Sequence, residues 1–433
     1  MTPARRGSAR WLTIVVVLAG AAAVLGTIAF WPRGDAPDLG TQPNTYVDAT
    51  VVRVDTDTCD DPEAGAPGPC QAVAARLTSG GDAGDTIEFT VPGSRFDVPE
   101  LAEDDRVVLL DVATAPREFR YSFADFQRST PLWWLVGLFV VVVVAFGRWQ
   151  GVRALVGLAA SGAVLIAFLV PALLRDAPAV PVALAATAVI AFVALYLAHG
   201  VNAGTTVALA GTLVSLALTA GLAFAVAALA QFSGLADDRA QTLRITADAL
   251  DLRGLLVAGI VVGALGVLDD VTVSQVSIVA ALRRANPGLP PHLLYREATK
   301  VGRDHVASTV NTLVLAYAGA SLPLLLFFAQ GDQPVGRLLA GELIAVEIVR
   351  MLVGSIGLVA SVPITTALAA IVLAPAGDVL GRRQRRRIGD DPVEDGGAVP
   401  PPAHAVPSRR FGRRRSGGAA PGLDDLVPAE DPR

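Results

Sequence analysis

The sequence predicts an all-α polytopic membrane bundle of about eight spans, carrying one small extracytoplasmic β domain. Three observations predict it. Apolar residues come in long uncharged runs, the kind that a hydrocarbon slab of about 30 Å demands of a helix. Only 17% of the 433 residues are charged and mean hydropathy is +0.52, whereas soluble domains carry roughly 25% charge. The charges are also segregated. Asp35 to Arg128 holds 19 acidic residues against 7 arginines, while Gly381 to Arg387 holds five arginines and no acid. Such sorting tracks the two sides of a membrane, so the net charge of -5 says little about partners.

The elements follow in chain order. Residues 1–10 are basic, with Arg5, Arg6 and Arg10, and precede an apolar run from Trp11 to Phe30. That run exceeds the 7–15 residues of a signal-peptide core. It reads as an uncleaved first span with a cytoplasmic N-terminus. Residues 31–130 read as the extracytoplasmic domain. Partial alternation in Tyr46–Val54, Gln71–Leu77, Thr86–Val91 and Asp105–Val112, with Gly and Pro between, points to strands. The size suits a barrel of about five strands, OB-like in one reading, and the pattern leaves topology open. Cys59 and Cys70 flank the polar insert DDPEAGAPGP. A disulfide stapling that loop suits the oxidising side of a membrane; two free cysteines are the other reading.

Residues 131–375 read as the transmembrane domain. The second span, Leu132–Phe146, opens on Trp133 and Trp134, as at a membrane interface. A short loop with Arg148 and Arg153 places its end in the cytoplasm. The third, fourth and fifth spans cover about 154–174, 180–198 and 205–228. A polar, partly helical stretch, Gln231–Arg253, follows at the outer surface. The sixth span, about 255–268, is short unless it continues through Asp269 and Asp270. Arg283, Arg284 and the helix-stopping NPGLPP segment come next. The seventh span is about 306–328. The last apolar region, about 343–373, is too long for one perpendicular crossing at 1.5 Å per residue, so one long helix and two coupled spans both remain open. Five arginines follow it, and placing them inside favours an even total of eight. Residues 376–433 read as a disordered cytoplasmic tail.

The stretches LYLAHG (195–200), LRGLLVAGIVVGALGVLDDVTVSQ (252–275), RDHVASTVNTLVLAYAGASLPLLL (303–326) and LVGSIGLVASVPITTALAA (352–370) resemble the YibE/F-like family of bacterial membrane proteins. The resemblance covers roughly 130–375. It implies a multi-pass protein of the bacterial inner membrane, with transport as the expected role. Asp269, Asp270, Arg303, Asp304, His305, Ser308, Asn311 and Thr312 fall in the matching motifs.

Three constellations could carry chemistry. Asp269 and Asp270 stand at the end of the sixth span, where a charge near lipid ordinarily faces a cavity; capping of a helix starting at Val271 is the alternative. On the seventh span, His305, Ser308 and Thr312 share one stripe and Asp304, Ser308 and Asn311 the next. That polar wedge exceeds what helix packing asks of hydroxyls and amides, and His305 can titrate near neutral pH. Glu347 and Arg350, three apart, can pair as a structural lock or line a cavity. Pro363, followed by Thr365 and Thr366, can break a helix at membrane depth.

No HExxH, GxSxG or Walker A motif is present, and His and Cys lack zinc-site spacing. No catalytic residue, metal or cofactor is therefore expected. The expected partners are the lipid bilayer, a small solute or ion, and an extracytoplasmic ligand or protein. The arginine-rich flank suits anionic lipid better than nucleic acid. The reading these features give is a secondary permease, with a non-transporting scaffold or sensor as the alternative.

Overall fold

A computed structural model describes residues 3–34, 45–61, 66–92, 100–116, 119–235, 238–246, 250–329 and 334–373. The tail expected beyond residue 375 and the insert between Cys59 and Cys70, apart from its ends, lie outside them. Helix α1 (Pro3–Ala29) leads to five strands, β1 (Thr45–Asp61), β2 (Ala66–Leu77), β3 (Thr86–Pro92), β4 (Arg106–Asp111) and β5 (Tyr121–Phe126). All pair antiparallel in the order β3-β2-β1-β4-β5. The sheet curls until β3 and β5 approach without closing. A strand's side chains alternate between faces, and one face here supplies the core: Val47, Ala49 and Val51 on β1, Val73, Ala75 and Leu77 on β2, then Phe89, Val107, Leu109 and Phe123.

Polar groups fix the margins of the sheet. The Gln71 side chain accepts from Leu101 N–H at 3.0 Å and donates to Leu101 C=O at 3.3 Å, clasping the segment before β4. Arg120 grips the Asp111 carboxylate with two nitrogens at 2.8 and 3.1 Å and reaches Asp82 at 2.9 Å. Its hydrogen bond to Asp111 raises its affinity for the proton further. The Tyr121 hydroxyl donates to Asp82 at 2.7 Å. Burial, aided by that bond, pushes Tyr121 up to about 12. Cys70 is buried and disulfide-bonded, and Cys59 is the chain's one other cysteine.

The remaining helices are α2 (Ser129–Val164), which runs through a π turn at Leu165–Leu169 into α3 (Val170–Leu174), then α4 (Ala179–His199), α5 (Ala203–Leu229), α6 (Asp238–Thr246), α7 (Leu252–Ala285), α8 (Pro291–Ala320), α9 (Leu322–Ala329), α10 (Val335–Ala340) and α11 (Glu342–Val372). Six helical runs among the described residues are long and apolar enough to cross a membrane, or seven if the bent pair α8 and α9, angled by 61°, counts as one. The eight spans expected become six or seven because Ser129–Leu174 forms one 46-residue run. That run is not straight. Arg148 has φ 51 and ψ -131, outside the helical region. A side-chain carbon on Gly151 would overlap the Val143 carbonyl oxygen, whereas residues eight apart in one helix lie about 12 Å apart. The chain therefore bends sharply at Arg148.

Helices α5, α7 and α11 form the centre, with α4 against α7 and α8 against α11 and α7. Small residues let them meet. A Cβ on Gly211 would overlap Thr365, and one on Gly357 would overlap Thr219, so α5 and α11 touch backbone to side chain. The outer ends are tied by polar caps. Asp251 accepts from Gly254 N–H at 2.9 Å, and Glu342 accepts from Ser233 Oγ at 2.8 Å and Gly234 N–H at 2.7 Å. The region 343–373 is one continuous helix that contains Pro363.

Candidate functional site

Of the two lengths the sequence left open for the sixth span, the longer one holds: it continues through Asp269 and Asp270. Helix α7 continues unbroken for 34 residues to Ala285, so Asp270 caps nothing. The reason is compositional: Val271 to Leu282 is apolar enough to stay helical despite two carboxylates. At 1.5 Å per residue, Asp269 lies about 26 Å along a helix of about 51 Å. It is half-buried, and its Oδ1 is buried with no hydrogen-bond partner.

Three features surround Asp269. Its carbonyl accepts from Thr272 Oγ1 at 3.0 Å, and that hydroxyl meets Thr212 Oγ1 of α5 at 2.7 Å. Thr212 belongs to a buried polar seam on α5, with Ser215 and Thr219, that faces Ser361, Thr365 and Thr366 of α11. Within this seam Ser215 Oγ, Ser355 Oγ and Thr365 Oγ1 have no partner, while Thr212, Thr219 and Thr366 donate to carbonyls one turn back. Sequence reading missed the α5 hydroxyls. Their spacing of three, four and seven residues was visible, but the apolar run around them masked the stripe.

The third feature is a cavity of about 250 Å³ between the α4–α5 corner and α7, lined among others by His199, Asn202, Thr205, Val273, Ser277 and Arg284. Val273, Ser277 and Arg284 continue, toward the end of α7, the helix face on which Asp269 stands. Asn202 builds the corner. Its Oδ1 accepts from Thr205 N–H at 3.0 Å, and its Nδ2 donates to the His199 carbonyl at 3.0 Å and to Thr205 Oγ1 at 2.9 Å. Gly200, at φ +75, makes the turn. The arrangement is a partly polar vestibule whose nearest α7 residue, Val273, stands one helical turn from the Asp269 carboxyl midway along α7.

The other expected residues lie elsewhere. Asp304, His305, Ser308, Asn311 and Thr312 are all exposed on the outside of the bundle, as is Asp270. The buried stripe of α8 is Leu294, Ala298, Gly302 and Val306. Gln275 of α7 donates to the Ala298 carbonyl at 3.0 Å, and a Cβ on Gly302 would press on Gln275 and Val362. The wedge thus turns away from the interior because the small residues take the contact face. Tyr317 Oη lies beside Gly263, so the antiparallel register brings Asp270 to within about a turn of residues 309–311. Asp270, His305 and Thr312 are thus exposed at neighbouring levels of α7 and α8. Glu347 and Arg350 pair at 3.2 Å on α11. Among the described residues no group of His, Cys, Asp and Glu is arranged to hold a metal ion.

A curled five-stranded sheet on the extracytoplasmic side and a multi-pass helical domain in the bilayer define a polytopic membrane protein. The chain belongs to the YibE/F-like protein family, whose pattern matches residues 135–375. No curated protein and no solved structure matches it.

Proposed function

We propose that the protein is a cation-coupled secondary permease for a small solute, with Asp269 as the coupling carboxyl. One observation carries the reading: an unpartnered carboxylate oxygen buried near the middle of a continuous membrane helix, one turn from a polar vestibule. An ionisable group inside the bilayer is costly, and such groups mark ion paths and proton relays. The hydroxyl seam of α5 and α11 offers oxygen ligands, with no basic group among its buried members, so a proton or small monovalent cation suits it. Separating the helices on either side of Arg148 and joining α8 to α9 gives eight crossings, since Ser129–Gly147 alone is about 28 Å long. An even count leaves both termini, with their arginines, in the cytoplasm. The vestibule then opens inward, beside Arg284. In the same reading the curled sheet is a partly open barrel of OB type, whose strand neighbours would run β1-β2-β3-β5-β4.

The test uses full-length protein in vesicles loaded with a pH-sensitive dye, under an imposed ion gradient, challenged with a panel of small solutes. The expected result is a solute-driven proton or cation flux in the wild type that Asp269→Asn reduces at least about a hundredfold, an effect in the range of general acid–base substitutions. Flux by Asp269→Asn at the wild-type rate ends the assignment.

A second reading has its own observation. The outward polar face of α8, with Asp304, His305, Ser308, Asn311 and Thr312, asks for a protein neighbour in the bilayer. A scaffold or sensor, with the sheet binding a ligand or partner outside, would present such a face. Cysteines placed singly along 304–312 separate the two readings. Water-borne reagent reaching them in lipid vesicles favours an aqueous groove, and protection that is lost only on dissociation favours a scaffold.

A further inference from the structure

Two cavities lie end to end along α8. One, of about 440 Å³, is walled on its apolar side by Val306 and Val310 of α8 and by Val359, Val362 and Pro363 of α11. The other, of about 400 Å³, is lined by Arg296, Lys300 and Arg303, with Glu297 its single acid. They share Tyr295, Thr299 and Arg303, so the basic cavity opens directly into the apolar one.

The three basic residues recur at i, i+4 and i+7 and form one stripe. Arg296 pairs with Glu297 at 3.5 Å, and among the described residues no ion pair holds Lys300 or Arg303. At the junction, Thr299 Oγ1 is buried without a hydrogen-bond partner. The groove is thus two-natured along its length: cations and an unpartnered hydroxyl at one end, a mostly apolar slot at the other. A soluble phosphate would fill only the basic end. A zwitterionic lipid would set its own ammonium against the same cations.

We propose that this groove binds an anionic phospholipid, with the phosphate at Lys300 and Arg303 and an acyl chain between α8 and α11. Attraction to anionic headgroups rises with each Lys or Arg near the surface. The site is separate from the vestibule and from Asp269, and does not depend on a transport role.

The test is native mass spectrometry of the full chain released from nanodiscs of phosphatidylcholine doped with phosphatidylglycerol. The expected result is a retained phosphatidylglycerol adduct that survives dilution with phosphatidylcholine. The triple variant R296Q/K300Q/R303Q should weaken retention on the order of a hundredfold. Ala307→Trp, which fills the slot and keeps every charge, should also lose the adduct. Millimolar inorganic phosphate should not displace it. Retention unchanged in both variants overturns the proposal, and so does displacement by inorganic phosphate, which would make the site one for the free anion.

Discussion

At the residue scale, the Arg120 cluster shows how an exposed margin becomes fixed. Tyr121 donates to Asp82, and Arg120 bridges Asp82 and Asp111 while standing 5.1 Å over the Tyr121 ring. The neutral phenol is the form the fold favours, because ionisation would remove the donor and set a second negative charge beside Asp82. Its folded value near 12 lies above the ordinary value of about 10. The sign follows: the stabilisation is complete below pH 10 and disappears as pH rises through 12. An alkaline absorbance titration should show one tyrosine ionising late, and Tyr121→Phe should delete that late step. The substitution should cost about 1 kcal/mol, the worth of a typical hydrogen bond. None of this cluster was legible in the sequence. RYSFADF alternates as clearly as the four strands that were expected, but its nearness to the second span hid it. Asp111 meets Arg120 through the pairing of β4 with β5, and Asp82, in the turn between β2 and β3, meets it through the curl that brings β3 toward β5; no local pattern specifies either.

At the scale of elements, the apolar runs gave the helices and the small residues decided their contacts. Gly302 is the clearest instance. A Cβ there would lie 2.5 Å from Gln275 Oε1 and 2.8 Å from Val362 Cγ1. Gly302→Val should therefore push α8 off α7 and α11. The expected loss is about 1–3 kcal/mol, as for overpacked cores, read as a lower midpoint of thermal unfolding in detergent with Gly259→Ala as a silent control. Gly259 has nothing within 4 Å of a Cβ. The spacing of Gly259 and Gly263 suits close helix contact, yet both are exposed on α7, and of the two Gly263 alone has a neighbour, the Tyr317 hydroxyl. Spacing identifies which residues share a face; it does not say whether that face meets a neighbour. The same limit explains the α8 wedge. Its residues lie on the exposed side of α8, and the buried side goes to Leu294, Ala298, Gly302 and Val306 instead.

At the scale of the whole molecule, the alternation of crossings is the strongest constraint. With the run Ser129–Leu174 folded back at Arg148, a cysteine at Gln150 should react with an impermeant reagent from the cytoplasmic side. A cysteine at Ala177 should react from the opposite side. Reaction of both from one side would mean that the 46-residue run does not cross twice. Composition and charge pointed to a polytopic helical domain and an extracytoplasmic sheet. They left the length of α7 open, because a hydrophobicity window stops at adjacent carboxylates while a helix with buried neighbours need not. That continuity puts Asp269 inside α7 and not at its end, and shifts the best candidate for the working carboxyl from the pair to a single residue.

The sheet joins the membrane through a connector of minimal length. Strand β5 ends at Phe126 and α2 begins at Ser129, leaving Gln127 and Arg128, which reach at most about 7 Å. Arg128 shortens even that leash by gripping Asp125 at 2.6 Å. With so short a tether the sheet cannot tumble independently of α2. Any twist imposed on the sheet becomes torque on the first turn of α2.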